Sequence, residues 1–337
     1  MSVTLKDVAA YAGSGVSTVS VVLNGKGVDN RISEEMIKRI YDAAEHLNYR
    51  PNMLARNLRR GNTNIIGFVI SDVSNPFFNK LAKHLEAEAL KYGYQLFVVG
   101  SDEKDERCIE VINVFLSLKM DGLILAATAG IEKKIKQLRN HEVPFLLVDR
   151  YFPKIDTNYV VLNNWQAAYD ATEHLIKKGK KRISTFSYET KFFHMDERMK
   201  GYKAALKDNG IRFNKKLVLK VPFLDIKEED MKENVRFLVE DCNIDAIFFQ
   251  TNRTAIPGIM ALYELEYKIP DKVAIVCFDD NNFFKMLSPK ITSLAQPIEE
   301  IAIESVRILI DEIKNKRVDK QKSKTMFSSR LIERESS

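Results

Sequence analysis

The chain has 337 residues, of which 45% are hydrophobic and 29% charged, and it carries a net charge of +6. That length allows two or three structural units, each with its own core. Its N-terminus lacks a signal peptide's apolar segment, and no apolar run approaches the ~18 residues of a membrane span. The three cysteines match no metal spacing, and Cys277, inside an apolar run, is expected to be a buried thiol. We therefore expect a soluble cytoplasmic protein without a metal or cofactor.

Three short helices are predicted in the first fifty residues. Apolar side chains recur at helical spacing from Leu5 to Ala12 and again from Val16 to Leu23, with a glycine-containing turn between the two segments. Ser33 is expected to cap a third helix, because Glu34 and Glu35 follow where the helix dipole favours acidic side chains. Together the three helices would enclose a small core and form a helix-turn-helix.

The next segment, residues 50–61, is basic and bounded by Pro51 and Gly61. No acidic residue occurs between Glu45 and Asp72, so the local charge suggests a polyanionic partner, with a solvated linker as the alternative. A helix of two turns would not be stable alone. It would order only against DNA or a second copy, unless the segment is simply a flexible linker.

From Asn64 onward, short apolar runs alternate with amphipathic helical segments. The runs "IIGFVI", "YQLFVVG", "DGLILAA" and "VPFLLVD" form one series, and "YVVL", "RISTFS", "LVLKV", "DAIFFQ" and "VAIVCFDD" form another. Buried strands that alternate with helices predict parallel sheets covered on both faces. The fold class is therefore α/β, with two Rossmann-like lobes around a cleft.

Polar residues follow these strands in a consistent way. In open α/β sheets, ligands bind beyond the carboxyl ends of the strands. A single such residue is more often a helix cap or a loop residue, but six clusters at one cleft favour a polar ligand site. The clusters are residues 72–78, Asp149, Asn163 and Asn164, Arg198, the group Gln250, Asn252 and Arg253, and the pair Asp279 and Asp280.

The combination of "TLKDVAAYAG…STVSVVLNG", the hinge motif "YRPN…AR.L" and "SNPFF" resembles the start of a LacI/GalR-family transcriptional regulator. The resemblance extends over nearly the whole chain. It implies a helix-turn-helix DNA-binding domain at residues 1–49, a hinge helix at 50–61 and a periplasmic-binding-protein-like domain at 62–337. The expected first lobe comprises about 62–161 and 292–324, and the second about 162–291 and 325–337.

The resemblance also implies how DNA is bound. The second helix would enter the major groove, with Val16, Ser17 and Val21 facing the bases. Paired hinge helices would enter the minor groove, where Leu58 would wedge between base pairs. Phosphate contacts would fix the register without reading sequence. The expected DNA-binding residues are Thr4, Leu5, Val16, Ser17, Thr18, Ser20, Val21, Asn24, Ser33, Asn52, Ala55, Arg56 and Leu58.

Two departures from the family pattern lie in the DNA-binding part. Ser14-Gly15 stands where the family usually has Val-Ser, and Val21 stands where an arginine is common. A missing arginine–guanine contact forgoes about 1–3 kcal/mol of discrimination per half-site. Val21 could instead contact a thymine methyl group, so we expect A·T or T·A at that position. Affinity should then depend more on Leu58 than on Val21.

In the second part, the resemblance implies a small effector, most simply a sugar, because carboxylates beside a forked arginine suit paired hydroxyls. A non-sugar co-repressor such as a purine is the alternative. Asn163-Asn164 and Asn252-Arg253 depart from the usual Asp-Asn and Asn-Asp. Arg253 would bind an anionic ligand if it faced the cleft, or be structural otherwise, and we favour the structural role. The expected effector-binding residues are Asn75, Phe77, Asp149, Asn163, Arg198, Phe223, Asn252, Arg253 and Asp279.

The resulting hypothesis is a homodimeric repressor that binds a pseudo-palindromic operator and whose DNA affinity changes when an effector closes the cleft. Dimerisation would use the first lobe, through the helix "NPFFNKLAKHLEAEAL" and neighbouring strands. An oxidoreductase is disfavoured because no G-x-G-x-x-G follows a predicted strand and no catalytic triad stands out. A secreted sugar-binding protein is disfavoured by the helix-turn-helix. The five histidines are interpreted mostly as solvated surface residues.

Overall fold

A computed structural model describes residues 3–49, 62–188, 192–223, 226–315 and 321–337. The chain divides into two compact units, Met1–Thr63 and Asn64–Ser337. In the described parts of the chain, no helix has the length and apolar character needed to cross a membrane.

Unit 1 contains the three expected helices, α1 (Leu5–Ala12), α2 (Val16–Leu23) and α3 (Glu34–His46). Its core is formed by fully buried side chains from all three helices, including Val8, Val19 and Ile40. The predicted cap is confirmed, since the Ser33 hydroxyl accepts a hydrogen bond from the Met36 backbone N–H. Gly15 is the N-cap residue of α2 and provides no side-chain cap.

Unit 2 contains two six-stranded sheets. The strands of the first sheet are β1 (Ile65–Ile70), β2 (Gln95–Gly100), β3 (Gly122–Leu125), β4 (Phe145–Val148), β5 (Tyr159–Leu162) and β11 (Lys324–Phe327). All are parallel, in the order β11-β5-β4-β3-β1-β2. The helices of this lobe are α4 (Pro76–Lys91), α5 (Asp105–Ser117), α6 (Glu132–Asn140) and α12 (Ile298–Lys314).

The second sheet repeats this arrangement. Its strands are β6 (Ile183–Tyr188), β7 (Val218–Val221), β8 (Ala246–Phe249), β9 (Ala274–Phe278), β10 (Thr292–Ala295) and β12 (Arg330–Ile332). Their order is β12-β10-β9-β8-β6-β7, and only β12 is antiparallel to its neighbour. The helices are α7 (Asn164–Lys177), α8 (Phe193–Asp208), α9 (Glu228–Arg236), α10 (Asn252–Glu264) and α11 (Asn282–Met286). The two parallel-sheet lobes expected from the sequence are therefore present.

Three crossings of the chain connect the lobes, and two of them lie beyond the expected boundaries. Strand β10 pairs with β9, so residues 292–295 belong to the second lobe. Strand β11 pairs with β5, so residues 324–327 belong to the first. Backbone pairing sets these boundaries, and the apolar pattern of a short strand does not reveal which sheet it joins.

Most of the apolar runs are buried as expected, and Cys277 is completely buried in β9. Strand β2 is the exception, because it lies at the edge of the first sheet. Phe97 and Val98 remain 49% and 41% exposed. The expectation of a buried strand is wrong here, since an edge strand lacks a neighbour on one side.

Candidate ligand-binding cleft and helix-turn-helix surface

The cleft between the lobes is formed at the carboxyl ends of the parallel strands. Asp149 follows β4 and Asp279 follows β9, and these strands hold the third position in the order of their sheets. Both residues adopt a left-handed backbone with φ of 66°, which aspartate tolerates better than most residues. The turn directs each carboxylate into the cleft, where burial raises the pKa of both side chains.

Arg198 lies near both carboxylates and is almost completely buried, at 4% exposure. Its Nε donates to Asn164 Oδ1 at 2.7 Å, its Nη1 donates to the Gln250 carbonyl, and its guanidinium lies 3.4 Å from the centre of the Phe278 ring. These contacts hold the guanidinium in one orientation. Because no carboxylate of the protein forms a direct ion pair with it in the described structure, it can bind oxygen atoms of a ligand.

Gly201 explains why the Arg198 motif "RMKGY" contains a glycine. A Cβ atom at this position would lie 2.1 Å from the Trp165 carbonyl oxygen. Only glycine therefore lets α8 approach α7 this closely. The Tyr202 hydroxyl then donates to the Ile183 carbonyl at 2.7 Å, which anchors α8 on β6. Gly201 and Tyr202 of this motif therefore hold α8 in place, and α8 in turn positions Arg198.

A second arginine, Arg150, was not recognised from the sequence. It is 8% exposed and forms an ion pair with the buried Glu103, and its Nε lies 3.4 Å from Asp149 Oδ2. Its guanidinium also lies 4.1 Å from the centre of the Phe192 ring in the second lobe. Arg150 therefore connects the lobes next to Asp149. Its position directly after Asp149 indicates that it lies near the cleft. Its ion pair is not evident from the sequence, because Glu103 is 47 residues away.

Three further contacts bridge the lobes. Asn252 Nδ2 donates to Asn75 Oδ1 at 3.0 Å, and Lys80 Nζ donates to the Asp280 carbonyl at 3.0 Å. Arg253 forms an ion pair with Asp72. The described cleft is therefore closed by protein contacts.

A cavity of about 170 Å³ lies between the lobes. It is bordered by Phe77, Lys80, Asn252, Asp279 and Gln296, among others. Gln296 Nε2 donates to Asp279 Oδ1 at 2.6 Å, which orients the carboxylate. Ligand pockets usually measure about 300–1,000 Å³, so this cavity suits a small ligand or must enlarge when the lobes separate.

The other expected effector residues are placed as follows. Asn75 caps α4 by accepting from the Phe77 N–H, as predicted. Asn163 caps α7, and its neighbour Asn164 faces Arg198 instead. Phe223 packs edge-to-face against Tyr188 at 4.9 Å. These residues lie around one cleft. Asn163 caps α7, and it is Asn164 that accepts a hydrogen bond from Arg198.

Two histidines are buried, contrary to the surface interpretation. His174 and His194 are both 8% exposed. His194 begins α8 beside Arg150 and Arg198, and burial together with these two cations lowers its pKa well below the usual value. Among the residues that the structure describes, its Nδ1 has no hydrogen-bond partner, and neither has the side-chain amide of Gln250, which is completely buried. Such groups need a partner, which a ligand or water would supply.

In unit 1, the residues expected to contact DNA lie on the accessible side of the helices. Val16 and Ser17 are exposed, and Thr18, Ser20, Val21 and Asn24 are half-buried. Two proposed phosphate contacts are already engaged as caps: Thr4 forms a capping box with Asp7, and Ser33 caps α3. Asn52, Ala55, Arg56 and Leu58 lie outside the described residues.

The described residues contain no group of three or more histidine, cysteine or acidic side chains that could hold a metal ion.

Sequence comparison gives two domain matches. Residues 4–52 match the model of bacterial regulatory proteins of the lacI family, and residues 172–337 match a periplasmic binding protein-like domain.

Full-length relatives give the same result. The chain is 31% identical to a ribose operon repressor of Halalkalibacterium halodurans over 94% of its length and 92% of the relative. It is 30% identical to the HTH-type transcriptional regulator RegA of Clostridium saccharobutylicum, covering 100% of this chain and 99% of that protein. The fold matches that of the Lac repressor dimer bound to operator and the anti-inducer ONPF, with a TM-score of 0.84 at 21% identity, over 100% of this chain and 99% of that one.

A helix-turn-helix unit followed by a two-lobed periplasmic-binding-protein-like unit defines a bacterial DNA-binding transcriptional regulator rather than an enzyme. The chain belongs to the LacI family. The family resemblance and the α/β architecture inferred from the sequence are therefore confirmed.

Proposed function

We propose that this regulator is a repressor whose operator affinity is controlled by a small uncharged sugar bound between the two lobes. The observation that carries the proposal is that Asp149 and Asp279, each at the carboxyl end of a strand in its own sheet, both lie near the Arg198 guanidinium of α8. Carboxylates accept from sugar hydroxyls and a fixed guanidinium donates to them. A relative of similar length is named for a ribose operon, which supports a sugar as the ligand class.

The remaining cleft residues suit the same ligand. Asn252 and Asn75 offer amide groups, and Phe77 supplies an apolar wall at the cavity. A purine co-repressor is the alternative ligand. It would require an aromatic face for stacking, and the Phe223 ring already contacts both Tyr188 and the Arg253 guanidinium.

For DNA binding, α2 is the proposed reading helix, with Val16, Ser17 and Val21 toward the bases and Ser20, Asn24 and Ser33 toward phosphates. Ser33 can fill this role while capping α3, because its oxygen accepts from Met36 and its proton remains to be donated. Thr4 must release its bond to Asp7 first. The proposed hinge contacts of Asn52, Ala55, Arg56 and Leu58 rest on the sequence alone.

The proposed active species is a homodimer on a pseudo-palindromic operator in the bacterial cytoplasm. The first lobe supports this, because apolar side chains remain exposed on its edge strand β2 and on the helices α4 and α5. Phe97 and Val98 lie on β2, Leu90 lies near the end of α4, and Val114 lies on α5. Exposed apolar patches of this kind mark association surfaces. The effector would shift the dimer between conformations that differ in DNA affinity.

The experiment has two arms. Thermal unfolding of the full chain is measured against neutral sugars, their acidic derivatives and purine bases, since a ligand of the folded state raises the unfolding temperature. Selected operator DNA is then titrated with protein at several salt concentrations, with and without the stabilising compound. A neutral sugar that stabilises the protein and changes operator affinity supports the proposal. Stabilisation by purines alone, or a compound without effect on DNA binding, would contradict it.

A further inference from the structure

The Arg253–Asp72 ion pair joins the two lobes at the cleft. Arg253 lies in the first turn of α10 in the second lobe, and Asp72 lies shortly after β1 in the first. Their side chains are 28% and 14% exposed. The guanidinium of Arg253 also lies 5.0 Å from the centre of the Phe223 ring. The sequence left open whether Arg253 binds an anionic ligand. In the structure its guanidinium is bound by the carboxylate of Asp72.

The carboxylates of the described cleft all have a cation nearby. Asp72 pairs with Arg253, Glu103 and Asp149 with Arg150, and Asp280 with Arg334 and Lys285, while Arg198 and Lys80 act on Asp279. A bound anion would meet the carboxylates of Asp149 and Asp279 at close range. To use Arg253, it would also have to displace Asp72 and leave that carboxylate without its partner.

We infer that the Arg253–Asp72 pair is a specificity determinant that excludes anionic ligands from the cleft and selects uncharged ones. The pair occupies the guanidinium that a phosphate or a uronate would need. This inference rests on the proposed role of the cleft as the effector site. It assigns Arg253 to ligand selection through Asp72 rather than to direct ligand contact.

The inference predicts a gain of binding when the partner carboxylate is removed. In Asp72→Asn, Arg253 loses its ion pair and the cleft gains one net positive charge. Inorganic phosphate should then bind about 10- to 100-fold more tightly than to wild type, the factor expected for charge-assisted hydrogen bonds. The double variant Asp72→Asn/Arg253→Gln should lose this gain. Arg253→Gln alone leaves Asp72 without its partner, so it should not bind phosphate more tightly than wild type.

Phosphate binding to the full chain is measured by calorimetry and by thermal unfolding. Asp271→Asn is the matched control, because it makes the same charge change at an exposed residue that precedes β9, at the opposite end of the sheet from the cleft. The inference is overturned if Asp72→Asn gains no affinity, if the double variant keeps the gain, or if the double variant, whose net charge equals that of wild type, binds phosphate more weakly than wild type. This series requires no sugar, so its result is separate from the sugar panel that tests the proposed function.

Discussion

Asp149 and Asp279 occupy equivalent positions in the two lobes. Each follows the third strand in the order of its sheet, each has φ of 66°, and each interacts with Arg198. Two carboxylates and one guanidinium are thus presented by opposite sides of one cleft. The internal repeat of the fold generates this arrangement, because the same turn after the same strand directs both side chains inward.

Neutralising these carboxylates should weaken ligand binding without lowering the free energy of unfolding. We expect Asp149→Asn and Asp279→Asn to weaken binding of the stabilising sugar by about 10- to 100-fold, since each removes a charged hydrogen-bond acceptor. Asparagine also tolerates the left-handed backbone. Because burial raises the pKa of both carboxyls, the amides should not lower the free energy of unfolding at pH 7.

Calorimetry and denaturant unfolding check this prediction. Asp271→Asn serves as the control, because Asp271 is exposed and precedes β9, at the opposite end of the sheet from the cleft. Unchanged sugar affinity in both cleft variants would contradict the assignment.

His194 should make the folded protein less stable at low pH. Its pKa is well below that of an unfolded histidine, about 6.5, because it is buried beside Arg150 and Arg198. Below pH 6.5 the unfolded chain therefore binds more protons than the folded chain at this residue. Stability is lost as the pH falls through that window, by up to about 1.4 kcal/mol per pH unit.

The test compares free energies of unfolding between pH 7 and pH 5. His194→Gln should have a shallower pH dependence than wild type, and His141→Gln, at an exposed position, should behave as wild type does. Equal pH dependence in all three proteins would show that His194 titrates normally.

The parts that local sequence encodes were predicted well. Asn75-Pro76 specifies a helix start, and the apolar runs specify strands whose carboxyl ends carry Asp149 in one sheet and Asp279 in the other. These inferences need only short-range patterns and the handedness of parallel sheets.

Ion pairs and packing contacts between residues that are far apart in the sequence could not be predicted. Arg253 and Asp72 are 181 residues apart, and nothing in either neighbourhood indicates the other. His194 and Arg150 were missed for the same reason, because burial depends on which elements pack together. Strand β2 has the composition of a buried strand but is exposed, because it lies at the edge of its sheet.

The exposed β2 edge should be part of the dimer interface. We expect Phe97→Glu to raise the dimer dissociation constant at least tenfold, roughly the effect of losing about 1.5–3 kcal/mol of aromatic burial. Met326→Glu is the matched control, because Met326 is 48% exposed on β11 at the opposite edge of the same sheet. Sedimentation velocity over a concentration series measures both. A Phe97→Glu protein that dimerises as wild type does, or an equal effect of Met326→Glu, would place the interface elsewhere.

Val21 should determine which base pair is preferred at one position of each half-site. Its side chain is half-buried on α2, and a valine can contact a thymine methyl group but cannot donate to guanine. Val21→Arg should therefore change the preference from A·T or T·A to G·C, by about 1–3 kcal/mol per half-site. Val28→Arg adds the same charge at a position that is 77% exposed and outside α2, so it should raise affinity without changing sequence preference. Selection from randomised operators distinguishes the two outcomes, and recovery of G·C by the wild-type protein would refute the methyl contact.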